Sequence, residues 1–178
     1  MKPHRPYDLQ EYDPAWKERF LDAAEKLKKI FADNLVEINH IGSTSIVGMV
    51  AKPQIDILAV VKNLDVVKDQ YDSFVKAGFT SRGKGYVAED DEYLTEDSKE
   101  GKRLTSVHTL QVGNPKIAEY KIFRDYLQHN KEDRDLYVAT KRDLYSVHHD
   151  NYADYDHGKE HVIAVIKTRA KEWASWRL

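Results

Sequence analysis

The chain has no cysteine, which excludes disulfides, thiolate metal sites and a cysteine nucleophile. It has no marked excess of either charge: 28 Lys and Arg stand against 30 Asp and Glu, a formal net charge of −2. Bulk binding of nucleic acid or of an anionic membrane is therefore not expected. No run approaches the roughly 20 apolar residues of a membrane-spanning helix, and Met1-Lys2-Pro3-His4-Arg5-Pro6 leads into polar residues rather than the apolar core of a signal peptide. The expectation is a soluble, cytoplasmic protein. No Gly/Ser-rich or Pro-rich linker divides the 178 residues, a length that suits one domain with one substantial core.

What is present is periodic. Asp13-Pro14 is a helix entry, with aspartate as cap and proline in the first turn, where its missing N–H costs nothing. Trp16, Phe20, Ala23, Ala24, Leu27, Ile30 and Phe31 then recur at helical spacing, so a helix is predicted over residues 14–32. Residues 35–41 read as a short strand, 44–49 as a brief helix and 54–61 as a buried central strand. A second long helix is predicted over 64–77, stopped by Gly78. Strands over 79–88 and 103–113 are joined by an exposed loop, 89–102, whose Glu89, Asp90, Asp91 and Glu92 read as solvated surface carboxylates rather than metal ligands. Beyond Gly113-Asn114-Pro115 the chain reads as helical, over 117–128, 131–147 and 150–176. The predicted class is α/β (α+β): a small, mixed, twisted sheet of about four strands with two helices packed near it, and a helical C-terminal half closing one side of a cleft.

Two features on adjoining elements stand out. Gly42 allows close backbone approach, and Ser43, Thr44 and Ser45 supply hydroxyls and amides at a helix start, where anions are attracted. Asp56 interrupts the apolar run 55–61, and a carboxylate there is costly without a partner or a metal. The pair reads equally as a phosphate and metal site, or as a capping turn with Asp56 bonded to backbone.

The same residues carry a resemblance. His40-Ile41-Gly42-Ser43-Thr44-Ser45-Ile46-Val47-Gly48, then Ala51-Lys52-Pro53, then Ile55-Asp56-Ile57 resembles the hallmark of the GrpB-like proteins, with Val47 where that family usually has proline. Tyr12-Asp13-Pro14-Ala15-Trp16 with Phe20 is similar to the family's opening helix, and Phe123-Arg124-Asp125-Tyr126-Leu127 to a later signature, so the likeness spans nearly the whole chain. It implies a nucleotidyltransferase-like fold and a histidine on the strand over 103–113, where His108 stands.

Nucleotidyl transfer requires an attacking hydroxyl in line with a phosphate and divalent ions, here Mg²⁺, held by two or three carboxylates. Active enzymes of this fold follow the Gly-Ser turn with an Asp-x-Asp/Glu strand and a third acid on a neighbouring strand. Gly42-Ser43 and Asp56 match, but two residues on stands Leu58. On the next strand the polar candidates are His108 and Gln111, His108 reading as metal ligand, phosphate contact, proton shuttle or hydrogen-bonded structural histidine. Glu37 and Glu89 are candidates for a displaced carboxylate. Asp56 and His108 are thus the catalytic and metal candidates.

Ligand contacts are expected from His40, from Gly42 to Ser45, and from Lys52, which lies within reach of the turn. Arg124 either points inward to a phosphate or bridges Asp125. Tyr137 with Lys141, and Tyr155 with Lys159, stand four apart, each pair on one helix face. They read as a ring beside a phosphate-seeking lysine, or as packed tyrosine with lysine in water, the latter being favoured. Residues 42–52 are not a Walker motif, and no Gly-x-Gly-x-x-Gly turn supports a Tyr-x-x-x-Lys dehydrogenase. Ser43 lacks the second glycine of a nucleophile elbow. His148, His149, Asp150, Asp154, Asp156, His157 and His161 read mainly as adventitious metal binders. Three functions follow: a nucleotidyltransferase-like protein binding a nucleotide or other phosphorylated small molecule, a non-catalytic module for such ligands, or a protein-interaction domain with a vestigial pocket.

Overall fold

The computed structural model describes residues 7–87 and 90–176. A five-stranded mixed sheet runs in the order β1-β2-β5-β4-β3, formed by β1 (Leu35–Ile41), β2 (Ile55–Val61), β3 (Thr80–Lys84), β4 (Glu92–Asp97) and β5 (Arg103–Gln111). The β2–β5 pair is parallel; β1–β2, β4–β5 and β3–β4 are antiparallel. The central strand β2 is apolar on both faces apart from Asp56, as a strand covered on both sides must be.

Helices cover each face. Helix α1 (Ala15–Phe31) starts where Asp13 accepts the Ala15 amide, and packs Trp16, Leu27 and Phe31 against Ile55, Ile57, Val61 and Val107. On the other face, Ile41, Leu58, Val60 and Leu110 meet Ile117 and Tyr120 of α3 (Pro115–His129). Helices α4 (Lys131–His148), α5 (Tyr152–Gly158) and α6 (Glu160–Ser175) complete the C-terminal half. Asparagine caps begin three of them: Asn114, Asn130 and Asn151 accept first-turn amides. Ile46 and Met49, just after the Gly-Ser turn, are buried among Tyr126, Leu127, Tyr137 and Ile166, which ties the sheet to the helices.

Five expectations are corrected. The sheet has five strands, because β4 lies inside the stretch read as a loop; Tyr93-Leu94-Thr95 supplies strand-forming side chains, and the Tyr71 hydroxyl and the Ser81 hydroxyl bond to Glu92 at 2.6 and 2.7 Å. Asp91 and Glu92 are therefore buried rather than solvated, 2% and 4% exposed, while Glu89 lies outside the described residues. The helix expected over 64–77 is a 3₁₀ segment, Asp65–Gln70, followed by a short α2 (Tyr71–Lys76), ended by Gly78 at φ +95°. The brief helix after Gly42 is a single 3₁₀ turn, Ser43–Ser45, and the helix over 150–176 is two, α5 and α6, parted at Lys159. No helix among the described residues is long and apolar enough to cross a membrane.

Candidate functional site

Two cavities meet at Gly42, Asp56 and Phe123. The larger, about 410 Å³, is walled by Ile41, His108, Tyr120 and Lys167; the smaller, about 240 Å³, by Ser43, Thr44, Lys52, Tyr137, Lys141, Tyr152, Tyr155, Asp156 and Lys159. Asp56 is the carboxylate they share.

Strand alternation explains why. Asp56 pairs in register with Ser106 of β5, so its side chain shares the α3 face with Ser106 and, two residues on, His108. The Gln54 amide donates to Asp56 Oδ1 at 2.7 Å and to Ser106 Oγ at 3.0 Å, and the Tyr93 hydroxyl donates to the same Ser106 oxygen at 2.7 Å. Asp56 is thus held by a side chain, not by backbone capping. Its other oxygen faces Gly42: a Cβ built there would lie 2.5 Å from Oδ2. Gly42, at φ +68° and ψ −173°, is the glycine that lets the turn approach the carboxylate.

The smaller cavity collects cations. Lys52 sits 3.9 Å from the Tyr152 ring centroid, Lys141 4.2 Å from Tyr137, and Lys159 4.7 Å from Tyr155. The favoured expectation of lysines in water is overturned: Lys141 is 2% exposed and Lys159 8%, because their helices press this face onto the turn. The Lys141 ammonium donates to Ser43 Oγ at 2.5 Å and to the Val50 carbonyl at 2.9 Å. Burial first, then the charges of Lys159 and Lys52, hold it well below the ordinary lysine value. Lys159 donates to Asp156 at 2.9 Å, and Tyr152 takes a bond from Lys52 at 2.6 Å and gives one to Asp156. Burial alone would raise the Asp156 carboxyl, but Lys159 and Lys52 outweigh it and leave it below its usual value. Burial also pushes the Tyr137 and Tyr155 hydroxyls up, keeping both as neutral donors.

In the larger cavity His108 turns Nδ1 to Asp91 Oδ2 at 3.0 Å, with Tyr93 and Tyr120 rings at 5.1 and 5.2 Å. Burial first, then Asp91 and Asp56, lifts the Tyr120 hydroxyl to about 12, so both carboxylates act on this wall.

Several expected contacts lie elsewhere. His40 faces α1, stacked on Phe20 at 4.8 Å, and its Nε2 bonds to Thr44 Oγ1 at 3.0 Å; burial and then Arg124 depress it to about 4. It holds the turn rather than lining either cavity. The Thr44 hydroxyl donates a hydrogen bond to the Gln54 carbonyl, and the Ser45 hydroxyl closes the turn on the Gly42 carbonyl at 2.6 Å. Arg124 follows the surface alternative, bonding Asp125 at 2.7 Å and the His40 carbonyl at 3.1 Å, because the β1 end offers an acceptor where a cavity was expected. Glu37 pairs with Lys121, and Leu58, where a second acid would stand, is fully buried in apolar contacts. Around His148 to His161 no group of three or more possible metal ligands converges among the described residues. Sequence reasoning missed Tyr152, Gln54, Tyr120 and Asp91 as site residues. The i, i+4 spacing of Tyr152 and Asp156 was the readable signal for the first; the burial of Asp91 had none.

Comparison with known proteins accords with this geometry. A family profile described as GrpB protein matches residues 6–169. The chain belongs to the GrpB family. It is 35% identical over 176 residues to YqkA of Bacillus subtilis, covering 98% of this chain and 50% of that one, so it spans about half the length of that relative. The crystal structure of GrpB from Enterococcus faecalis superposes with a TM-score of 0.87 at 32% identity, covering 93% of this chain and 99% of that chain. The Cid1 poly(U) polymerase, at TM-score 0.51 and 15% identity, covers 78% of this chain and 44% of its own, a likeness of fold alone. The nucleotidyltransferase-like fold implied by the GrpB resemblance is the fold observed.

Proposed function

We propose that this GrpB protein binds a nucleotide or other phosphorylated small molecule, with its phosphates among Lys52, Lys141 and Lys159 and its organic part in the larger cavity. The observation that carries this reading is the convergence of three lysines on one small cavity beside the Ser43 turn. Buried ammonium groups are costly unless something neutralises them. The Lys141 ammonium meets neutral acceptors, Ser43 Oγ and the Val50 carbonyl, rather than a carboxylate, and Asp56 and Asp156 are carboxylates on the same wall, so an anionic occupant adds to the neutralisation of these cations. The family fold supports the same use of the turn.

Magnesium does not fit as a resident ion. Asp56 stands without a second acid on its strand face, Leu58 being apolar and buried, and no three-ligand cluster forms among the described residues. Mg²⁺ typically takes one or two carboxylates together with substrate phosphates, so an ion would arrive with the nucleotide. The lysines take over much of the charge neutralisation.

Calorimetric titration with tripolyphosphate, ATP and AMP, each with and without Mg²⁺, tests the proposal. Binding of tripolyphosphate or ATP that survives chelation of metal and falls at least tenfold in Lys159→Gln supports it. Failure of every phosphorylated probe to bind would sink it and favour an interaction domain.

A further inference from the structure

We propose that His108, held by Asp91, is the general base for transfer of a phosphorus group onto a hydroxyl acceptor in the larger cavity, an inference that rests on the phosphate reading of the lysine cavity. His108 lies two residues beyond Ser106, the register partner of Asp56, which is about 7 Å of strand on the same face. Both side chains wall the larger cavity.

Asp91 is buried, and its Oδ1 has no hydrogen-bond partner among the described residues; its Oδ2 meets the His108 ring at Nδ1. A buried carboxylate accepts, so Nδ1 donates and the neutral ring keeps its lone pair on Nε2. That nitrogen has no hydrogen bond among the described residues, and the flanking Tyr93 and Tyr120 rings fix the plane of the imidazole. The groups facing the ring are Asp91, Tyr93, Tyr120 and Asp56, with Lys116, Glu119 and Lys167 lining the same cavity. With Leu58 in place of a second acid, His108 is a proton acceptor on the wall it shares with Asp56, while Glu119 of the same cavity is paired with Lys171 at 3.0 Å.

The acceptor hydroxyl gives its proton to Nε2 as its oxygen bonds to the phosphorus beside Asp56. The bridging P–O bond breaks, and pyrophosphate leaves with the electron pair into the lysine cavity. The imidazolium, stabilised by Asp91, then returns its proton to solvent. Asp91 is a positioning residue, since it acts through the ring.

The experiment uses the full chain with ATP and Mg²⁺, with glycerol as hydroxyl acceptor, and follows pyrophosphate release while calorimetry follows ATP binding. Wild type is expected to turn over faster as pH rises and then to plateau. His108→Gln should lose about 100-fold or more in rate with ATP binding within threefold, and imidazole should restore part of the rate in His108→Ala. Asp91→Asn should slow turnover at least about tenfold with ATP binding within threefold, and Asp91→Glu should recover part of that rate, as expected of a group that orients the ring. ATP binding with no turnover, or His108→Gln turnover within threefold of wild type, overturns the base and leaves the phosphate reading standing. Absence of ATP binding removes both.

Discussion

Replacing Gly42 by alanine should destabilise the protein, and part of the loss should return when Asp56 is shortened. Two costs add. The turn holds Gly42 at φ +68° and ψ −173°, a region almost confined to glycine, where other residues pay about 1–3 kcal/mol. The new methyl would also lie 2.5 Å from Asp56 Oδ2, 3.0 Å from its Cβ and 3.1 Å from its Cγ. A carboxylate oxygen can swing aside, but the Cβ is fixed to β2, so relief requires the strand or the turn to move. Forced overpacking of this kind costs about 1–3 kcal/mol. The sum, roughly 2–6 kcal/mol, corresponds to a fall in Tm of several degrees or more for a chain of this length. Urea unfolding followed by tryptophan fluorescence measures it. In a cycle of Gly42→Ala, Asp56→Ala and the double variant, the double should be less destabilised than the sum of the singles by at least about 1 kcal/mol, since Asp56→Ala removes the carboxylate but keeps the Cβ. A Gly42→Ala variant within about 1 kcal/mol of wild type, or additivity within about 0.5 kcal/mol, would refute the close approach.

Three further expectations concern protons. Lys141 is held well below its ordinary value of 10.5, so between the two the unfolded chain binds a proton that the folded chain does not. Stability therefore rises with pH across that window, and Lys141→Met should flatten the rise in urea midpoints; an unchanged slope would assign the effect to another group. His40 falls from 6.5 to about 4, so stability is full above pH 6.5 and is lost as pH drops toward 4, by up to about 3 kcal/mol. His40→Gln should lose that acid-side slope, and a retained slope would count against a neutral His40. Bound tripolyphosphate should raise the depressed Lys141 value by placing negative charge beside it, so proton uptake should grow as pH rises into the window below 10.5, which calorimetry in buffers of different ionisation enthalpy detects; buffer-independent heats across that window would exclude it.

Local patterns made much of the fold legible. The strand predicted over 35–41 coincides with β1, the central strand differs from β2 by one residue, and the helices over 117–128 and 131–147 match α3 and α4 within two residues at each end. Apolar periodicity and asparagine caps act within a few residues and can be read there. β4 was hidden because the buried carboxylate of Glu92 has its hydrogen bonds satisfied by Tyr71 and Ser81, which lie on other elements. The site followed the same division. The Ser43 turn and Asp56 were visible, as were both Tyr-Lys pairs, but not the burial of the lysines, which depends on α4 and α5 docking against the turn. Arg124 went the other way: a surface acid and a strand-end carbonyl claimed it.

The bonds across the smaller cavity join Ser43 to Lys141 and Lys52 to Tyr152, residues 98 and 100 positions apart. Any occupant among these groups therefore works as a clasp between the early part of the chain and its last third. Its binding free energy adds to the cohesion of α4 and α5 with the sheet, in proportion to the logarithm of its concentration once it exceeds Kd. Resistance of the α5 segment to proteolytic nicking would then gauge the supply of the ligand, whether or not any reaction follows.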